Sequence, residues 1–134
     1  MDRSKSPLTE PTVTPAPLRI LYVEDDALVR EITSELLAQA QRQIVAVSTA
    51  EEALREFETR PFDVVITDVS LPAMSGLHLA KRLREMEPKV PIIVASGYAL
   101  ELSPQTWGPG VRAIVKPFEP AAMDSLIAEL CAER

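Results

Sequence analysis

From Leu18 onward, short apolar runs alternate with stretches in which apolar residues recur every three or four positions, and the alternation repeats five times. Residues 18–23 predict a first strand, after which Leu28, Val29, Ile32, Leu36, Leu37 and Ala40 fall at helical spacing. Residues 44–47 predict a second strand. Thr49 and Glu52 resemble a capping box, which opens a helix with Ala53, Leu54 and Phe57 on its apolar side. Residues 62–67 are almost unbroken in apolar character, as expected of a strand covered on both faces. Ser75 is placed to cap a third helix with Leu79, Ala80 and Leu83 inward, and residues 92–95 predict the fourth strand.

Between residues 100 and 110, Pro104, Gly108, Pro109 and Gly110 oppose a long helix, so a short or irregular one is expected. Residues 113–115 predict the fifth strand. Pro120 opens a final helix whose inner face is Ala122, Leu126, Ile127 and Leu130. Five such units joined by right-handed crossovers place helices on both faces of one parallel sheet, an α/β fold. Residues 1–17 differ in kind: Pro7, Pro11, Pro15 and Pro17 stand among Ser and Thr, which reads as an extended, mobile tail ahead of a domain over 18–134.

Composition narrows the function classes. The 134 residues suit one domain, and 46% hydrophobic with 25% charged residues is globular usage, without an apolar run long enough to span a membrane. A formal charge of -6 disfavours nucleic acid, whose binding depends on neutralising phosphates, and favours a protein or metal partner. The single Cys131 excludes an internal disulfide and reads as a small apolar residue of the last helix. With Asp2 and Glu10 but no apolar core at the N-terminus, the expected location is cytoplasmic.

In a parallel α/β sheet the carboxyl ends of the strands share one rim. That rim collects Glu24, Asp25 and Asp26 after the first strand, Asp68 after the third, Ser96 after the fourth, and Lys116-Pro117 after the fifth. Two carboxylates about 4 Å apart repel by roughly 4 kcal/mol at an effective dielectric of 20, so the cluster calls for a cation. Oxygen ligands select a hard ion, and Mg²⁺ uses one or two carboxylates and leaves room for phosphate oxygens. Asp68 is placed to accept a phosphoryl group as an aspartyl phosphate, with Lys116 as a point charge and Ser96 as a hydrogen-bond donor to it.

The order of these residues resembles the receiver domain of bacterial two-component signalling, the response-regulator family, over residues 18–134. The resemblance rests on Glu24-Asp25-Asp26, on the D-x-x-x-P-x-M-x-G segment from Asp68 to Gly76, on Ser96, and on Lys116-Pro117-Phe118. It implies a flavodoxin-like (βα)5 fold with strand order 2-1-3-4-5. Asp68 would be the phosphoacceptor, Ser96 and Lys116 the phosphate-sensing pair, and Asp25 a direct ligand of Mg²⁺. Glu24 would bind the metal through water, Asp68 itself would be a ligand, and the Ser70 backbone carbonyl would complete the shell. The resemblance also implies a cis bond before Pro117. Asp26 is the expected helix cap.

The function implied is that of a single-domain, non-enzymatic phosphoacceptor. It would be charged by a sensor histidine kinase or phosphotransfer protein and would switch binding to a downstream protein, with a phosphorylation-dependent dimer also allowed. A receiver of a hybrid kinase and a phosphate sink are the nearest alternatives. A haloacid-dehalogenase-type phosphatase would want an acid where Ser70 stands, and a flavodoxin-like binding module would want a phosphate loop rich in Ser, Thr and Gly in place of Glu24-Asp25-Asp26. The sequence departs from the family at Ala113, three residues before the Lys, where receivers usually carry Tyr or Phe. Tyr98 is the candidate substitute switch. Trp107 is read either as a partner contact or as a cover for the sheet edge, and His78 as part of a solvated helix face.

Overall fold

The computed structural model describes residues 17–39 and 41–132. The tail over 1–16 and Ala40 lie outside the described residues. Five strands alternate with five helices: β1 (Leu18–Val23), α1 (Ala27–Ala38), β2 (Arg42–Val47), α2 (Ala50–Thr59), β3 (Val64–Asp68), α3 (Gly76–Met86), β4 (Ile92–Ser96), α4 (Pro104–Trp107), β5 (Val111–Val115) and α5 (Pro120–Ala132). The strands form one parallel sheet in the order β2-β1-β3-β4-β5, as the resemblance implies.

Alternation along the strands divides the interior in two. Leu21 and Val23 of β1 point to the side covered by α2 and α3, where Val65, Leu79, Leu83 and Val94 meet them. Ile20 and Tyr22 point to the other side, against Leu37 of α1 and Met123, Ile127 and Leu130 of α5. Covered on both faces, β3 and β4 are buried along their whole lengths, which is why their sequences are apolar without interruption. Among the described residues no helix is long and apolar enough to cross a membrane.

Local structure departs from the sequence pattern in six places, two of them early strand starts: β2 and β5 each begin two residues earlier than expected, at Arg42 and Val111. On α1 the residues turned inward are Thr33 and Leu37, while Leu28, Val29, Ile32 and Leu36 are exposed. That helix turns Leu37 onto the buried Ile20 and Tyr22 of β1, and Thr33, one turn earlier, shares the inward row. On α5 the inner row is Met123, Ile127 and Leu130, and Ala122 is exposed, because Met123 is the residue one turn before Ile127. The third strand begins at Val64, two residues into the apolar run: Phe62 instead stacks on Phe57 of α2, ring centroids 6.3 Å apart. Thr49 does cap α2, accepting from the Glu52 N–H at 3.1 Å, but the Glu52 carboxylate reaches past it to the N–H and hydroxyl of Ser48.

The β4–β5 connection holds a single helical turn, as Pro104 and Gly108 predict. Leu100, Leu102 and Trp107 pack against the α2–α3 core, so Trp107 covers the sheet. His78 is exposed on α3.

Candidate functional site

The chain leaves β1 in a tightly pinned turn. The Glu24 N–H bonds the Val47 carbonyl at 3.0 Å, and Arg30 donates to the Glu24 carbonyl at 2.8 Å. Asp26 caps α1 through the Val29 N–H at 3.0 Å, and its own N–H donates to Glu24 Oε2 at 3.1 Å. Nothing in the sequence marked Arg30 for this part. It reaches the turn because α1 returns it one helical turn beyond its cap. Glu24 is therefore almost fully buried, whereas Asp25 is exposed and its carboxylate makes no hydrogen bond among the described residues.

Asp68 ends β3, also buried. The chain turns sharply after it: Ala73 has φ 69°, with Met74 N–H on the Pro72 carbonyl at 2.7 Å, a three-residue turn. Ser75 caps α3, and the Gly76 N–H closes on the Val69 carbonyl at 2.8 Å. A Cβ at Gly76 would lie 2.0 Å from the Asp68 carbonyl oxygen, so only glycine lets α3 start this close to the strand end. Ser70 is exposed two residues beyond Asp68.

From the far side, β5 delivers Lys116. Its N–H bonds the Ser96 carbonyl at 2.6 Å, and the Lys116–Pro117 bond is cis. Its ammonium stands 3.2 Å from Glu24 Oε1 and 3.2 Å from Asp68 Oδ2, joining two acids 44 positions apart in the chain. Carboxylate oxygens of Glu24, Asp25 and Asp68 all lie within 4.8 Å of one another. Burial raises the pKa of Glu24, the charge of Asp68 adds to that, and the Asp26 N–H and Lys116 oppose it. For Lys116, burial works against the charge, but the hydrogen bonds and charges of Asp68 and Glu24 outweigh it and the pKa is raised. Beneath the site the Tyr22 phenol is pushed up to about 12, chiefly by burial.

Ser96 is fully buried and its hydroxyl accepts from the Tyr98 N–H at 3.1 Å. The Tyr98 ring is 63% exposed, turned away from that hydroxyl's buried surroundings. Ala113 is half-buried beside Val94 in the sheet. The fold thus brings Glu24, Asp25, Asp68, Ser96 and Lys116 to one rim, and leaves Tyr98 at its edge.

The donor set is chemically coherent. Three carboxylates of differing burial, with one ammonium as internal counter-charge, fit a hard divalent cation held by oxygen. An ammonium beside a carboxylate at the end of a buried strand suits a developing phosphoryl charge.

Comparison with known proteins agrees. Residues 20–128 match the family model described as the response regulator receiver domain. The chain is 35% identical over 112 residues to response regulator protein FleR of Pseudomonas aeruginosa, covering 82% of this chain and only 24% of FleR. It is 30% identical over 102 residues to response regulator receiver protein CpdR of Brucella abortus, covering 75% of this chain and 85% of CpdR. Among solved structures, the CheY-like receiver domain from Methylobacillus flagellatus aligns with TM-score 0.75 at 29% identity, covering 85% of this chain and 98% of that one. With the strand order, the acidic cluster and the family match in agreement, the chain belongs to the response-regulator receiver domain family of two-component signalling.

Proposed function

We propose that this chain is a single-domain, cytoplasmic response regulator that takes a phosphoryl group onto Asp68. The observation that carries the reading is the Lys116 ammonium held 3.2 Å from both Asp68 and Glu24 at the carboxyl rim of the sheet. In the transfer, the bond between phosphorus and a donor histidine nitrogen breaks and one to an Asp68 oxygen forms. The nitrogen takes up a proton as it leaves. Mg²⁺, which Asp25, Asp68 and the Ser70 carbonyl would hold directly and Glu24 through water, would neutralise charge on the phosphoryl oxygens. Lys116 has only to exchange one anionic oxygen for another. The Ser96 hydroxyl, already an acceptor for the Tyr98 N–H, has its own proton to donate to a phosphate oxygen. Tyr98 therefore links phosphate sensing to the β4–β5 connection, in place of the aromatic that Ala113 lacks.

The proposed donor is a histidine kinase or phosphotransfer protein. Its landing surface is the exposed row of Leu28, Ile32 and Leu36, which runs along α1 from the Asp26 cap at the rim itself. Contiguous exposed apolar rows mark interaction surfaces, and this one is continuous with the site. The test is labelling with a radioactive small phosphodonor and Mg²⁺: the wild type should be labelled and Asp68→Asn should not, and equal labelling would overturn the assignment.

A further inference from the structure

At the opposite rim of the sheet, the ends of α3 and α5 and the entries to β4 and β5 enclose a groove of about 480 Å³. Among the described residues its walls are Pro88, Pro91, Pro109, Gly110 and Leu130, with Arg84 and Lys89 as the polar members; Glu87 stands beside it, its carboxylate accepting from the Lys89 N–H at 3.3 Å. That volume is ample for a small ligand. A second groove of about 480 Å³ at the same rim differs: its Arg19 and Arg60 are matched by Glu58, Asp63 and Glu87.

Arg84 is built into its groove. From the last turn of α3 its Nη1 donates to the Val90 carbonyl at 2.6 Å. A Cβ at Gly108 would come within 3.0 Å of Nη2, and one at Gly110 within 2.7 Å of Nη1, so the turn into β5 lies directly over the guanidinium. Burial lowers its pKa, with the charge of Glu87 acting the other way. Among the described residues no carboxylate accepts a hydrogen bond from it. A guanidinium has five N–H donors, and partly buried cations are ordinarily paired with anions.

We propose that this groove binds a small monoanion with an apolar body, of the class of aryl or medium-chain carboxylates, its carboxylate on Arg84 and its body against Pro88, Pro91, Pro109 and Leu130. The charge complementarity favours an anion: two cations line a largely apolar wall, and the nearby Glu87 acts on Arg84 only through its charge, without a hydrogen bond to the guanidinium among the described residues, so a neutral apolar molecule would leave Arg84 as it is, and a bare inorganic anion would leave the wall uncovered.

The test is a titration of the ¹⁵N-labelled full chain with 2-naphthoate, and in parallel with its neutral analogue 2-naphthalenemethanol. Expected are shifts at the amides of Arg84, Lys89, Gly110 and Leu130, with the acid binding at least tenfold more tightly than the alcohol. Arg84→Gln should erase that preference. Because Arg84 also supports the turn into β5, the exposed Lys89→Glu provides a second variant, expected to weaken naphthoate at least threefold with an unchanged melting temperature. Equal binding of acid and alcohol, or shifts centred elsewhere on the molecule, would overturn the proposal.

Discussion

Lys116 and Glu24 form an ion pair at 3.2 Å in which the carboxylate is nearly inaccessible and the ammonium is not, their side-chain exposures being 4% and 29%. The same nitrogen holds Asp68 at the same distance. One cation thus compensates two acids that the fold forces together, and it reaches solvent on one side, where a phosphoryl group would arrive. For Lys116→Ala we expect phosphate still to be accepted from a small donor, at a reduced level, while the hydrogen-exchange change in the β4–β5 connection that accompanies phosphorylation of the wild type disappears. An unaltered exchange response in the labelled mutant would refute the sensing role.

Asp25 is the acid of the cluster with no hydrogen-bonding partner for its carboxylate among the described residues. Its charge opposes those of the buried Glu24 and Asp68, and because Asp25 itself faces water the cost is about 1 kcal/mol or more near 4 Å. Asp25→Asn should therefore raise stability in metal-free urea denaturation by about 0.5–1 kcal/mol, and weaken Mg²⁺ binding at least tenfold by calorimetry. A variant that is less stable without metal would count against the repulsion.

Gly76→Ala places a methyl group 2.0 Å from the Asp68 carbonyl oxygen, a backbone atom that has no rotamer by which to escape. The expected loss is about 3 kcal/mol or more, at the upper end of overpacking penalties. Thermal denaturation checks it: a melting point within a degree of wild type would mean that α3 can start farther from the strand.

Tyr22 supplies a pH dependence. Its phenol ionises near its ordinary value of 10 in the unfolded chain and at about 12 in the folded one. Between these values the folded state keeps a proton that the unfolded state has lost, so stability is intact below pH 10 and declines as pH rises toward 12. Tyr22→Phe should flatten that decline. An unchanged slope in the variant would remove Tyr22 as the cause.

Ile32 is 52% exposed in the middle of the α1 row, so Ile32→Glu should leave stability within about 0.5 kcal/mol of wild type. It should slow phosphotransfer from a kinase or phosphotransfer protein at least tenfold and leave labelling by a small phosphodonor unchanged. Normal transfer from the protein donor would exclude α1 as its landing surface.

The five-fold alternation of strand and helix was legible because each strand is short, largely apolar and followed by a polar residue, and the residues closing β1, β3, β4 and β5 form the candidate site. What was hidden depends on contacts between elements. Leu28, Ile32 and Leu36 satisfy helical periodicity as well as Thr33 and Leu37 do, and which row faces inward is visible only once Leu37 is seen packed with Ile20, Tyr22 and the α5 residues. Gly76 could be seen to end a motif, but the reason it must be glycine lies in its approach to Asp68 across the turn. The double engagement of Lys116 likewise requires the register that sets Ser96 beside Val115. Phe62 looked like strand because stacking on Phe57 and pairing in a sheet demand the same kind of side chain.

The near-contact of Gly76 with the Asp68 carbonyl also divides the site mechanically. On that side Asp68 is held close against the start of α3 by backbone, and through the Lys116 ammonium to the pinned turn at Glu24. On the other side, a Cβ built at Gly97 meets nothing within 4 Å, and Tyr98 stands in solvent. A group added at Asp68 would therefore meet close-packed backbone on the α3 side and open space on the β4–β5 side, and the free volume around the candidate site is unequal before any partner is present.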